Sequence, residues 1–362
     1  MDQNRRFKRK HLAEILMADL EARRVRSGGR LPTVRKLAAD WQVSPLTVTR
    51  LLNDLAAAGK LRRERNRGYF LAEDFPPKPH IGFIGSLPPP EGRVREYIHD
   101  EAVRALFDEL ERLRIQPEIF NYADFSVPGR VPVKLTELNG LLIEGSFFDN
   151  TVAGKLHDFA GPVVVFDGAA GGGTFVCSRV FTDYRRTLNR FFELCPLSPE
   201  RKYLIVRAGH ENAGTVAELL RYGLREAGLP PPEEIVLGGG VGAEMEAMEY
   251  FQEHRRDWRE TLIFSLSGYY TRGLWAALHG AGPLPDVLSF DNLEARVPIR
   301  SASEGYFTSI ERNLPRMYRR AVRLLRDQIV NRSDEIEEVG VHASLVIRKS
   351  VRGIDRSESR VL

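Results

Sequence analysis

Cysteine is nearly missing from this chain. Two cysteines in 362 residues, Cys177 and Cys195, leave no disulfide framework and no Cys-based zinc spacing. Both lie among apolar neighbours, as small reduced core residues do. No apolar run approaches the ~20 residues of a membrane span. The first residues carry charge but no apolar signal core, because Glu14, Asp19 and Glu21 interrupt it. A cytoplasmic protein is the expectation. No dinucleotide fingerprint, phosphate-binding Lys-Ser/Thr loop or Ser/His/Asp constellation is present. His210-Glu211 lacks a second His at helical spacing. No metal, no cofactor and no catalytic residue is therefore expected.

What is present is unevenly charged. Residues 1–75 hold 17 Lys+Arg against 9 Asp+Glu, and the remainder holds 36 against 40. A basic head on a slightly acidic body points to a nucleic-acid partner for the head. Within it, Leu31 to Phe70 has the strongest local pattern. Leu37, Ala38 and Trp41 follow a helical period, and Val43-Ser44 breaks it. Ser44 suits an N-cap and Pro45 the first helical position. Val48, Leu51, Leu52 and Leu55 then recur at helical spacing, and Gly59 stops the helix. Two strand-like runs, Leu61 to Arg63 and Tyr69 to Leu71, flank the turn Asn66-Arg67-Gly68. Helix, turn, helix and basic hairpin together make a winged helix-turn-helix. Its second helix turns Ser44, Thr47, Thr49 and Arg50 outward, where a major groove could be read. Arg62, Arg63, Arg65 and Arg67 would meet phosphates or the minor groove. A three-helix structural bundle with a solvated basic face is the alternative. Upstream, Leu12, Ile15, Leu16, Leu20 and Val25 mark an amphipathic helix preceded by the basic run 5–10.

This stretch resembles the N-terminal domain of the GntR family: Leu31-Pro32 and Arg35 match its first helix, Val43-Ser44 and Thr47-Val48 its second, Gly68 its wing tip. Pro45 and Thr49 stand where the family carries arginines. The outward residues of the helix and hairpin, together with the resemblance, point to DNA contacts by Arg35, Ser44, Thr47, Thr49, Arg50, Arg62, Arg67 and Gly68.

Three prolines in Phe75-Pro76-Pro77-Lys78-Pro79 form a short linker. From His80 onward, short apolar strands alternate with helices: Ile81–Ile84, Glu118–Phe120, Leu141–Ile143, Val163–Phe166, Tyr203–Val206, Ile235–Leu237, Leu262–Phe264 and Val287–Phe290 are the strands. That alternation means parallel sheets covered on both faces. Two sets of it mean two doubly wound subdomains with a ligand crevice at the strand ends. Gly168 to Gly173 and Gly238 to Gly242 read as cleft loops.

The tail carries Val346-Ile347-Arg348-Lys349-Ser350. With Pro162 to Asp167, Gly223 and Ala227, Ser289 to Asn292 and Thr308-Ser309-Ile310, it resembles the effector domain of the LacI/GalR family, akin to periplasmic sugar-binding proteins. The implied fold is a winged helix-turn-helix (α+β) followed by two α/β subdomains of periplasmic-binding-protein type I architecture. The implied organisation is a DNA-binding domain over 1–74, a linker over 75–79, an effector domain over 80–350 and a tail over 351–362. Lobe 1 would hold about 80–180 and 291–318, and lobe 2 about 181–290 and 319–350. The resemblance also places Asp167, Asp291 and Arg312 in the pocket. Ser267-Gly268 replaces the family's Asn-Asp pair and Leu220 its sugar-clamping arginine; Tyr269, Tyr270 and Trp275 lie nearby. A homodimeric, sugar-responsive transcriptional regulator of double-stranded operator DNA, with repression by analogy to both families, is the leading expectation. A regulator whose pocket takes a protein partner or no ligand, and an enzyme on an α/β scaffold, are the alternatives.

Overall fold

In a computed structural model, the described residues are 15–16, 28–65, 67–72, 79–88, 97–126, 135, 137–168, 175–280, 282–297, 305–355 and 360–361. The basic run 5–10, most of the upstream helix, Asn66, most of the linker and the glycine-rich stretch Ala169 to Thr174 lie outside them. Contacts divide the chain into two units, 1–78 and 79–362.

The first unit contains α1 (Val34–Asp40), α2 (Pro45–Ala57), β1 (Leu61–Glu64) and β2 (Gly68–Leu71). Thr33 and Ser44 cap the two helices by accepting from Lys36 N and Thr47 N. Gln42 takes a positive φ of 54° in the turn between them. Val48, Leu51, Leu52 and Leu55 are buried, as their spacing requires. β1 and β2 pair antiparallel, with Arg62 opposite Phe70 and Arg63 opposite Tyr69. Asn53 of α2 accepts from the Tyr69 hydroxyl at 2.6 Å and anchors the hairpin to the helix.

The second unit is built on two sheets. Its elements are β3 (His80–Ile84), α3 (Tyr97–Arg112), β4 (Gln116–Ile119), α4 (Tyr122–Ser126), β5 (Gly140–Glu144), α5 (Asn150–Lys155), β6 (Val163–Phe166) and β7 (Ser178–Asp183). There follow α6 (Arg185–Leu194), β8 (Lys202–Ala208), α7 (Glu211–Glu226), β9 (Glu233–Leu237), α8 (Ala243–Glu253), β10 (Thr261–Ser265), α9 (Gly268–Leu278) and β11 (Asp286–Phe290). The chain ends through β12 (Thr308–Glu311), α10 (Leu314–Asn331), β13 (Glu338–His342), β14 (Ser344–Val346) and β15 (Arg360–Val361). The first sheet runs β4-β3-β5-β6-β7-β13 and is parallel throughout. The second runs β9-β8-β10-β11-β12-β14-β15, parallel as far as β12 and antiparallel beyond it.

Successive residues of the central strands face opposite sides, so each sheet buries two apolar faces. Leu142 and Val164 join Phe83, Leu106, Met317 and Tyr318 on one face of the first sheet, while Leu141, Ile143 and Val165 join Phe125 and Val152 on the other. In the second sheet Tyr203, Ile205 and Phe264 face α6 and α7, and Leu204, Val206 and Ile263 face α8 and α9. Trp275 packs into this last core beside Tyr306 and Phe307 rather than offering its face to the cleft.

The lobes divide the chain differently from the expected boundaries. Residues 308–311 were expected in lobe 1, yet Leu288 pairs with Thr308 and Phe290 with Ile310 in the second sheet. Residues 319–342 were expected in lobe 2, yet α10 lays Met317, Ala321, Val322 and Leu325 on the first core and β13 pairs with β7. The chain therefore crosses near 183, 312 and 343. The three crossings are tied together: Ala343 N donates to Asp183 O at 3.2 Å, and the Asn313 side-chain amide donates to His342 O at 3.0 Å. β13, in the first sheet, and β14, in the second, are separated by the single residue Ala343.

α8 and α9 approach at Gly273, where an added Cβ would stand 2.2 Å from the carbonyl oxygen of Glu244. Backbone cannot yield there as a side-chain tip could. Gly273→Ala should cost about 1–3 kcal/mol, read as a lower midpoint in chemical denaturation; an unchanged midpoint would refute the contact.

Candidate functional site

Two candidate sites emerge, one in each unit. In the first, Arg35, Ser44, Arg50, Arg62, Arg67 and Gly68 are exposed, while Thr47 and Thr49 are half-buried. The hydroxyls are less available than their positions suggested. Ser44 Oγ accepts from Thr47 N at 3.1 Å and shares a 2.8 Å bond with Thr47 Oγ1. The Thr49 hydroxyl donates back to Pro45 O at 2.9 Å, the usual fate of a helical Thr. On the hairpin, Arg62 and Arg67 both reach Glu64, at 3.1 and 2.6 Å, and both lie over the Phe70 ring. Exposed ion pairs of this kind are weak and exchange readily for phosphate. Gly68 takes φ +108°, which a side chain would resist, and the Arg30 guanidinium sits beside it. Arg30 was not expected here; it precedes the Leu-Pro pair and enters the wing through a bridge to Phe70.

The second site is the cleft between the lobes. Asp167 follows β6 of the first sheet and Asp291 follows β11 of the second. Both hold positive φ, 48° and 72°. Left-handed backbone is tolerated by Asp but remains uncommon, and it tends to mark functional turns. Arg312 lies on the crossing segment after β12 and meets both. Its Nε donates to Asp291 Oδ1 at 2.5 Å and its Nη1 stands 3.6 Å from Asp167 Oδ1. Burial works against the charged guanidinium, but the carboxylates of Asp291 and Asp167 outweigh it and raise the pKa further. Arg312 is a fixed cation whose charge is already answered.

Side chains that were not expected complete the site. The Tyr318 hydroxyl donates to Asp167 Oδ2 at 3.1 Å and lies 3.3 Å from His99 Nδ1. His99 Nε2 stands 3.5 Å from Glu144 at the end of β5. Tyr184 follows the first crossing, and burial pushes its phenol pKa up, so it stays protonated. Two cavities lie here, with His99 on the wall of the first and Tyr184 on the walls of both. One, of about 190 Å³, is walled by Tyr184, His210, Ser267, Tyr269, Tyr270 and Phe290, with Asp291 and Arg312. The other, of about 320 Å³, is walled by Asp167, Arg179, Asp183, Tyr184, Arg185 and Arg312.

The structure thus brings Asp167, Asp291, Arg312, Ser267 and Tyr269 to one cleft. Ser267 also has a structural duty, capping α9 by accepting from Tyr269 N at 3.2 Å. Leu220 is fully buried in the second core. The residues of α7 that reach the cleft are Ala213, Thr215, Val216 and Leu219. Among the described residues, no group of three or more His, Cys, Asp and Glu could hold a metal ion, and no helix is long and apolar enough to cross a membrane.

His210 yields a pH test. Its Nδ1 accepts from Ala213 N at 3.3 Å and caps α7. Burial, then the charge of Arg312, lowers its pKa, so the folded chain prefers neutral imidazole. A His whose folded pKa lies below its unfolded one contributes stability that is present above about pH 6.5 and is lost as pH falls below that value. His210→Asn keeps a cap acceptor and removes the proton. The variant should lose less stability than the parent between pH 7.5 and 5 in paired denaturation curves; parallel losses would refute the assignment.

Comparison with known proteins divides the chain along the same line. Residues 8–71 match the model of bacterial regulatory proteins, gntR family. Curated relatives include the HTH-type transcriptional repressor PurR of Yersinia pestis (strain Pestoides F) and of Yersinia pseudotuberculosis serotype O:1b (strain IP 31758). Each is 27% identical over 235 residues, which cover 59% of this chain and 63% of the relative. The match spans less than two thirds of the length of these relatives. Solved structures of similar fold include a LacI family transcriptional regulator from Enterococcus faecium with bound ribose, at TM-score 0.57 and 17% identity, covering 76% of this chain and 100% of that one. A second is the LacI family regulator CCPA from Weissella paramesenteroides with bound sucrose, at TM-score 0.57 and 13% identity, with the same coverage. A third is a periplasmic binding protein/LacI transcriptional regulator from Alkaliphilus metalliredigens QYMF complexed with D-xylulofuranose, at TM-score 0.53 and 16% identity, covering 75% and 98%. The α/β unit has the fold of these regulators, two parallel-sheet lobes of periplasmic-binding-protein type.

Proposed function

We propose that this chain is a DNA-binding transcriptional regulator whose α/β unit binds an uncharged, polyhydroxylated small molecule of the sugar class between its lobes. The observation that carries the reading is Arg312, held on a crossing segment between a carboxylate from each lobe. A ligand bound there would touch both lobes and the segment that joins them. Such a ligand can act only by favouring one lobe arrangement over another. Rotation of the lobes is a common way to turn that preference into a change elsewhere in a regulator.

The chemistry of the cleft favours a neutral ligand. Arg312 is answered by Asp291 and Asp167, and His210 is held neutral, so no cation stands uncompensated among these groups. Carboxylates accept hydroxyl hydrogen bonds in fixed directions, and the rings of Tyr184, Tyr269, Tyr270 and Phe290 suit the faces of a pyranose or furanose. Relatives crystallised with ribose, D-xylulofuranose and sucrose support the class. At the other end, the gntR-family match and the exposed Arg35, Arg50, Arg62 and Arg67 support operator DNA as the partner. A homodimer reading a near-palindrome is the arrangement that two half-sites favour. Repression rather than activation follows the relatives that carry the name repressor. The relatives are regulators, and this supports a non-enzymatic role.

Two measurements test the two halves separately. Arg50→Ala with Arg67→Ala should weaken operator binding about 30-fold or more in a gel-shift titration, since each contact contributes about 1–3 kcal/mol. Unchanged affinity would refute the DNA-reading face. A thermal-shift panel of pentoses, hexoses and disaccharides should contain a ligand that adds about 2.7 kcal/mol at roughly 100 times its Kd, and Asp291→Asn should abolish the gain. Silence across the panel, with DNA binding intact, would instead favour a protein partner for the cleft.

A further inference from the structure

The first turn of α2 carries one large side chain that the fold does not use. Leu46 is 59% exposed. The inward face of the helix is Val48, Leu51, Leu52 and Leu55, and Leu46 belongs to none of it. An exposed leucine alone is ordinary. Its surroundings are what give it meaning.

The polar groups that could read bases from this turn are largely engaged. Thr47 N is capped by Ser44 Oγ, and the two hydroxyls share a hydrogen bond. The Thr49 hydroxyl donates to Pro45 O. Pro45 has no N–H to give. The tip therefore presents an apolar surface, Pro45 and Leu46, to whatever meets it. Leu46 and Arg50 are four residues apart, so they share one stripe of the helix. Arg50 is exposed as well. The stripe pairs a hydrophobe with a cation at a fixed interval.

A major groove offers a hydrophobe only one partner among the four ordinary bases, the C5-methyl group of thymine. We propose that Leu46 is a base-reading side chain of α2 and that it recognises a thymine methyl in the major groove, beside the base or phosphate held by Arg50. This rests on the DNA-binding reading given above.

The test uses the full chain and a 30-base-pair duplex selected by that chain from a randomised library. Thymines in the selected half-site are replaced one at a time by uracil, which removes the methyl and keeps every hydrogen bond. One replacement should weaken binding about fourfold, the factor that burying a methyl group supplies. With Leu46→Ala, uracil and thymine at that position should bind alike, while the thermal midpoint stays at the parent value. Replacing a cytosine at the same position by 5-methylcytosine should recover part of the affinity for the parent and none for the variant. Indifference of the parent to uracil at every position would overturn the proposal, as would equal sensitivity in Leu46→Ala. Failure of the parent to enrich any sequence over bulk DNA would instead sink the DNA-binding reading, and the role of Leu46 with it.

Discussion

One guanidinium organises the cleft. Arg312 leaves the second sheet on a crossing segment, donates at 2.5 Å to Asp291 of that lobe and stands 3.6 Å from Asp167 of the other. A carboxylate pair brought this close without a cation would repel, and a cation placed here alone would pay for its desolvation. Each charge thus depends on the other two. The unequal distances matter as well. The short bond ties Arg312 to its own lobe, and the longer contact is the one that relative motion of the lobes would stretch or tighten. Tyr318 holds Asp167 from behind, so the far carboxylate has a set orientation.

The two halves of the chain rely on different physics. The head works by exposed charge, which is long-ranged and screened by salt. The cleft pairs Arg312 with two carboxylates and offers shape, aromatic faces and directional acceptors, which act only at contact. The uneven distribution of basic residues, concentrated in 1–75, already separates these regimes in the sequence.

Much of this was legible before any coordinates. Strands with unbroken apolar runs, such as Val163–Phe166 and Leu262–Phe264, declare themselves because both their faces are buried. β7, β12 and β13 did not, because polar residues break up their apolar runs: Ser178, Arg179 and Asp183 in β7, Thr308 and Ser309 in β12, Glu338 and His342 in β13. Their sheet membership rests on backbone pairing, which side-chain patterns do not record. The lobe boundaries went wrong for that reason. Asp167 and Asp291 entered through the resemblance to the LacI/GalR effector domain, whose matching stretches include them. His210 stands between β8 and α7, but it is not acidic, and the sequence marked it only as lacking a second His. Tyr184, His99 and Tyr318 carried no such mark; only the approach of distant segments gathers them. In the head, the sequence turned the hydroxyls of Ser44, Thr47 and Thr49 outward, but Thr47 and Thr49 are half-buried and all three are bonded within their own helix.

Gly145 after β5 and Gly168 after β6 touch backbone to backbone, and a Cβ on either would fall 2.3–2.4 Å from the Cα of the other. No side chain can be inserted at this seam without parting two strand ends. The opposing wall has a closed position as well: a Cβ at Gly268, between Ser267 and Tyr269, would fall 2.4 Å from the Cβ of Leu293. Drift in ligand preference among descendants of this chain would thus pass through the side chains around these points, with Gly145, Gly168 and Gly268 kept as they are.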